Sequence, residues 1–128
     1  MNKQPQSSIV LNISHSTISG LNLGSVVGDM NATLTTLEQQ GSADLAQALK
    51  RLSEVIASDE RLGRQRREFL ENVSLIAEQG RLPGDERRTG VVRAAYQYLA
   101  NAAAISANVA TIWGTVGPAI AAFFSLNN

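Results

Sequence analysis

The chain predicts a mainly α protein, a helical bundle of four to five helices preceded by an N-terminal β-hairpin. Three observations carry that expectation. Through the middle of the chain, apolar residues recur every three or four positions, which is the period of one helix face. Near the N-terminus they alternate singly, the period of a strand. Charge is also segregated: of 11 basic and 11 acidic residues, all but Lys3 lie between Asp29 and Arg93. Residues 94–128 carry no formal side-chain charge. An end so poor in charge calls for burial, self-association or lipid.

At 128 residues the chain fits one domain, long enough to bury a core without disulfides or metal. It divides into an N-terminal segment, 1–28, and a helical bundle with an uncharged C-terminal helical tail, 29–128. In the first segment, Ile9, Leu11 and Ile13 alternate with Val10, Asn12 and Ser14, and Leu21 and Leu23 flank Asn22. A short repeat at an offset of ten, Leu11-Asn12-Ile13-Ser14 and Leu21-Asn22-Leu23-Gly24, suggests two strands joined through residues 15–20. Gly20, Gly24 and Gly28 are the expected turn or bulge points. An isolated hairpin is marginal in water and must dock. It packs on its own helices, or it offers an edge (Ile9, Leu11, Ile13, Ile18, Leu21, Leu23) to a second copy or a partner.

The helices follow in order. Asp29 or Asn31 can cap a first one with Met30, Leu34 and Leu37 on one face, ended by Gly41. Ser42 or Asp44 starts a second, striped by Leu45, Leu49, Leu52 and Ile56, with Lys50, Arg51 and Glu54 on other faces. Ser58-Asp59 caps a third, striped by Leu62, Phe69, Val73 and Ile76 and closed by Gly80. On it, Arg61, Arg64, Arg66 and Arg67 interleave with Asp59, Glu60, Glu68 and Glu71, the pattern of a solvated face. The stretch 81–90 reads as a polar connector turning at Pro83-Gly84. Arg87, Arg88 and Arg93 lie where a basic cluster would meet an anionic membrane, but the composition is that of an ordinary solvated loop, which is the expected reading.

The tail keeps helical spacing from Val91 to Trp113, through Val92, Ala95, Tyr96, Leu99, Ala102, Ala103, Ser106, Val109 and Ala110. Gly114, Gly117 and Pro118 are expected to break it, with Pro118 opening a last short helix through Phe123 and Phe124. Ala102, Ser106, Ala110 and Gly114, each four apart, form a small-residue ridge for close helix approach. Residues 102–126 are uncharged, and a spanning helix needs about 20 apolar residues. Ser106, Asn108, Thr111 and Thr115 dilute the apolarity, so a helix buried on all sides of a bundle is expected ahead of a membrane span. The tail residues singled out for core or membrane are Ser106, Ala110, Ile112, Trp113, Gly114, Gly117, Pro118, Phe123 and Phe124.

The inventory supplies little for catalysis. There is no cysteine, hence no thiolate nucleophile, disulfide or Cys-based zinc site. His15 is the single histidine and has no assignable partner, and no His, Asp and Glu cluster has metal-ligand spacing. The glycines lack a P-loop lysine or dinucleotide fingerprint. Zero net charge argues against nucleic acid. No catalytic residue, cofactor, metal or small-molecule substrate is therefore expected. The N-terminus has no continuous apolar run, so a secretory signal is not expected, and the expected location is cytoplasmic, with a peripheral inner-membrane position as the variant.

Ile13-Ser14, Ser16 and Ile18, then Thr89-Gly90-Val91-Val92-Arg93-Ala94-Ala95, then Trp113-Gly114, Gly117-Pro118 and Phe123-Phe124 resemble a group of small bacterial helical modules. These pair an Ile-Ser-x-Ser-x-Ile β region with a Trp-Gly…Gly-Pro…Phe-Phe ending. The resemblance spans most of the chain. It implies an adaptor accompanying signalling or conflict-system effectors and transfers no catalytic residue. The expected function is a non-enzymatic interaction or oligomerisation module, binding itself or a protein partner. The alternative is a membrane-perturbing effector using the tail, and an enzyme with an unrecognised site ranks third.

Overall fold

The computed structural model describes residues 24–126. They form five helices: α1 (Gly24–Gln39), α2 (Ala43–Ser58), α3 (Gln65–Arg81), α4 (Thr89–Ile105) and α5 (Ala107–Phe124). Short 3-10 turns, Glu60–Leu62 and Gly84–Glu86, precede α3 and α4. Among the described residues there is no strand. Helices α2, α3, α4 and α5 pack as a closed ring, each against the next, and α1 lies across α2 and α3.

The apolar stripes become the core as expected. Leu34 and Leu37 from α1, Leu49, Leu52 and Ile56 from α2, and Val73 and Ile76 from α3 are all fully buried. Phe69 joins them and meets Tyr98 of α4 ring to ring at 5.1 Å. Tyr98 in turn donates its hydroxyl to Glu68 Oε1. That bond, with burial and the Glu68 charge, raises the Tyr98 phenol above its ordinary 10.0. Gly41 ends α1 with φ 89°, and the Ser42 N–H reaches back to the Leu37 carbonyl at 2.9 Å. That is the left-handed helix stop a glycine makes without strain.

Several boundaries differ from the sequence expectation. The hairpin edge (Ile9, Leu11, Ile13, Ile18, Leu21, Leu23), with Gly20 and His15, lies outside the described residues. Gly24 and Gly28, expected as turn or bulge points, are instead helical, because α1 begins at Gly24 and buries Val26 and Val27. The third helix is not continuous: Gly63, with φ 56°, separates the Glu60–Leu62 turn from α3. Arg66, expected on a solvated face, is buried. Its Nη1 donates to the Ala57 carbonyl at 3.0 Å and its Nε to Gly63 at 3.1 Å. A guanidinium satisfying the Ala57 carbonyl in the last turn of α2 also complements that helix's negative end.

The largest corrections concern the tail. The helix breaks at Ser106, not at Gly114–Pro118, and α5 runs through Pro118 without interruption. A proline inside a helix forfeits one hydrogen bond and crowds the carbonyl four residues back, here that of Gly114. Pro118 and Gly114 are both exposed, so water can satisfy that carbonyl, while Val116, Gly117, Ile120 and Ala121 are buried and hold the helix on the bundle. The break also divides the small-residue ridge: Ala102 and Ser106 are buried at the corner, Ala110 and Gly114 are exposed. Nor is α5 buried on all sides: 33% of it is buried, Ile112, Trp113, Phe123 and Phe124 are half-buried, and one side faces water.

Candidate functional site

One carboxylate organises the end of the bundle where α2 stops and α5 starts. Asp59 follows α2 directly, its backbone extended, and its Oδ1 accepts the Arg61 N–H at 2.9 Å to cap the Glu60–Leu62 turn. Its Oδ2 accepts the Ser106 hydroxyl and, at 3.5 Å, the Asn108 amide. Ser106 Oγ meanwhile accepts the Val109 N–H at 3.1 Å, capping α5. Asp59 and Ser106 are both buried. Two N-cap residues, 47 positions apart, are thus bonded to each other. The Ser106 hydroxyl holds the Asp59 carboxyl below its ordinary 3.8; burial opposes this, and Arg61 and Asn108 add to it.

The sign for stability follows. A carboxyl with a depressed folded pKa stabilises the fold above its unfolded value, about 3.9, and loses that contribution as pH falls through the folded value. Acid titration of the melting temperature should therefore show a step below about pH 4 that Asp59→Asn removes. An identical acid profile in the variant would contradict the assignment.

Beside this corner, α2 and α5 leave a groove of about 610 Å³. Arg51, Glu54, Val55 and Ser58 line one wall, and Asn108, Thr111, Ile112 and Thr115 the other, with Asp59 at its end. Glu54 is paired with Lys50 at 3.3 Å. The groove therefore offers hydroxyls, one amide and the Arg51 guanidinium over a floor of Val55 and Ile112. Among the described residues, no cluster of His, Cys, Asp or Glu could hold a metal ion.

A second clamp holds the far end of α5. Arg87 Nη2 donates to the Gly80 carbonyl at 3.0 Å, and its Nε to Leu82 at 3.0 Å and Gln79 at 3.2 Å, closing the C-terminus of α3. The same guanidinium lies 4.7 Å from the Phe123 ring centre, and Phe123 meets Phe124 edge to face at 4.9 Å. Arg87 is therefore committed to the fold. Gly80 is a close-approach position: a Cβ there would lie 2.8 Å from Leu45 Cδ2 and 3.6 Å from Phe124.

The tail residues divide between these two clamps. Trp113 is half-buried, its ring tilted at 49° against Tyr96 with centres 5.1 Å apart, and it lies over Gly117, where a Cβ would come within 3.1 Å of the indole. Ile112 forms the groove wall, and Phe123 and Phe124 pack on the core. Ala110, Gly114 and Pro118 face outward. Because Trp113 is only half-covered, Trp113→Ala should cost about 2 kcal/mol, below the range for a fully buried aromatic. Urea denaturation checks this, and a loss under about 0.5 kcal/mol would place the indole outside the packing.

What α5 shows to water is the informative part. Its exposed residues are Ala107, Asn108, Ala110, Thr111, Gly114, Thr115, Pro118 and Ala122. On α4, Ala94, Gln97, Asn101 and Ala104 are likewise exposed and uncharged, and Ile105 beside the corner is 43% exposed. Among the described residues, α5 is the one helix long and apolar enough to cross a membrane, 18 residues with a mean hydropathy of 1.3. Its larger apolar side chains, however, turn inward.

Neither Asp59 nor Arg87 stood out in the sequence as a tail contact. The Ser58-Asp59 cap signal was visible, but nothing local links it to Ser106. No protein-family model matches the chain, and no similar curated protein or solved structure was found.

Proposed function

We propose that the chain is a non-enzymatic interaction module that works by self-association, with α5 as its associating element. The observation that carries this reading is the exposure of α5: an uncharged helix of which 33% is buried and one side faces water. Small and amide side chains admit close helix approach, and the absence of charge removes like-charge repulsion between identical surfaces. The resemblance of the end motifs supports a bacterial signalling or defence setting for such an adaptor. Light scattering on the purified chain over a range of concentrations tests the proposal. A concentration-dependent dimer or higher oligomer is expected. A strict monomer at high concentration, recovering no protein partner, contradicts it.

The length and hydropathy of α5 favour a second reading, a membrane-perturbing effector. As docked, α5 turns Val109, Val116 and Ile120 into the core and shows Ala, Thr, Asn and Gly to solvent. Lipid contact through its apolar side therefore requires α5 to leave the bundle. Flotation and dye release with anionic vesicles test this reading, and neither should occur if self-association is the whole function.

A further inference from the structure

The break at Ser106 rests on one local signal, the Ser106 hydroxyl that caps α5, in a stretch that otherwise favours a continuous helix. No glycine or proline lies between Val91 and Trp113, and alanine, the strongest helix former, surrounds the corner. The core-facing positions run Val92, Ala95, Leu99 and Ala102, then Val109, Val116 and Ile120, with buried Ser106 and half-buried Trp113 filling the gaps. Taken together they alternate at intervals of three and four without a change of phase. That is the pattern of one uninterrupted helix passing straight through the corner. Only Ser106, at φ −121° and ψ 123°, departs from helical geometry, and it is held there by its own cap bond to the Val109 N–H and by Asp59 from another part of the chain. The periodic pattern and the bend disagree at a single residue.

We infer that α4 and α5 can straighten through Ser106 into one helix over 89–124, and that the freed α5 docks on a second copy of this chain, giving a dimer with exchanged α5 helices. The straight helix would be about 54 Å long at 1.5 Å per residue, carrying α5 clear of its own α2. A second copy is the fitting occupant because it regains every contact that α5 gives up, including the groove wall at Val55 and the Arg87 clamp. A lipid surface would replace only the apolar contacts. A hinge of one residue between two packed helices is the connection from which such exchange proceeds at low cost. This inference rests on the self-association reading and adds exchange to it: the exchanged α5 keeps its inward contacts, and its exposed side remains the one that reading places between copies.

Two variants separate the bent and straight forms. Ala107 is the first residue of α5, where proline is favoured because that N–H has no helical partner. Proline there also confines the preceding residue to extended backbone, the conformation Ser106 already has. In a continuous helix the same proline would be interior and disruptive. Ala107→Pro should therefore fold with an unchanged or raised melting temperature and weaken dimerisation by about a hundredfold or more per exchanged helix. Ser106→Ala removes both the cap and the Asp59 bond, and should strengthen dimerisation.

The decisive measurement uses Val55→Cys with Ile112→Cys, facing groove positions in a chain that has no cysteine of its own. A short thiol cross-linker should join two chains into a covalent dimer in the wild-type background and close within one chain when Ala107→Pro is added. If Ala107→Pro dimerises as readily as wild type, with links confined within chains, exchange is overturned while self-association stands. If wild type and Ser106→Ala are both monomeric, both proposals fail, and flotation of Ser106→Ala on anionic vesicles would then assign the released helix to lipid. A lowered melting temperature for Ala107→Pro would overturn the hinge itself.

Discussion

Val73→Asp is expected to abolish cooperative folding. Val73 is fully buried in the middle of α3, the helix that packs against α1, α2 and α4 at once. An aspartate there meets neither water nor a partner, and a buried unpaired carboxylate costs several kcal/mol even after it takes up a proton. Domains of this size have about 5–15 kcal/mol of stability in total. Leu49→Asp should act alike from the α2 side, since Leu49 is also fully buried. Thermal denaturation followed by far-ultraviolet circular dichroism checks both. A wild-type transition in either variant would show that these stripes do not face the core.

The second large effect is expected at a polar residue. Asp59→Ala removes the acceptor of the Ser106 hydroxyl, the Arg61 N–H and the Asn108 amide together. Hydrogen bonds to a charged group contribute about 1.5–3 kcal/mol each, and buried donors left without a partner add to the loss. The three bonds share one carboxylate and are not additive, so a total near 3 kcal/mol is expected. Urea denaturation should show this, and Asp59→Asn, which keeps the shape and one acceptor oxygen, should fall between. A loss under about 0.5 kcal/mol for Asp59→Ala would mean that the corner stands without it.

The contrast between these two predictions shows what was legible in the chain. The stripes on α1, α2 and α3 are repeated local signals, and burial follows from them because an amphipathic helix has one way to hide its apolar face. Gly41 as a stop was legible for the same reason, a left-handed position that suits glycine. The corner was not, because the carboxylate that fixes it lies 47 residues away in sequence, and Ser106 fits the periodic pattern, which hides its role as a cap. Arg66 and Arg87 read as surface charge because the backbone carbonyls that receive them leave no mark in a sequence. Pro118 misled in the opposite direction: a strong local breaker was overruled by buried neighbours on both sides of it. The segregation of charge did announce the unusual helix, but not that one side of it would face water.

The account turns on an α5 that its own bundle covers in part and that a second copy completes. Hydrogen exchange of the α5 amides, followed as protein concentration is raised, tests this most directly. In dilute solution, Ala107–Phe124 should exchange faster than the amides around Val73 and Ile76 in α3, and should gain protection as concentration rises while α3 does not change. Exchange in α5 that is independent of concentration, whether as slow as in α3 or as fast as in unfolded chain, would contradict it.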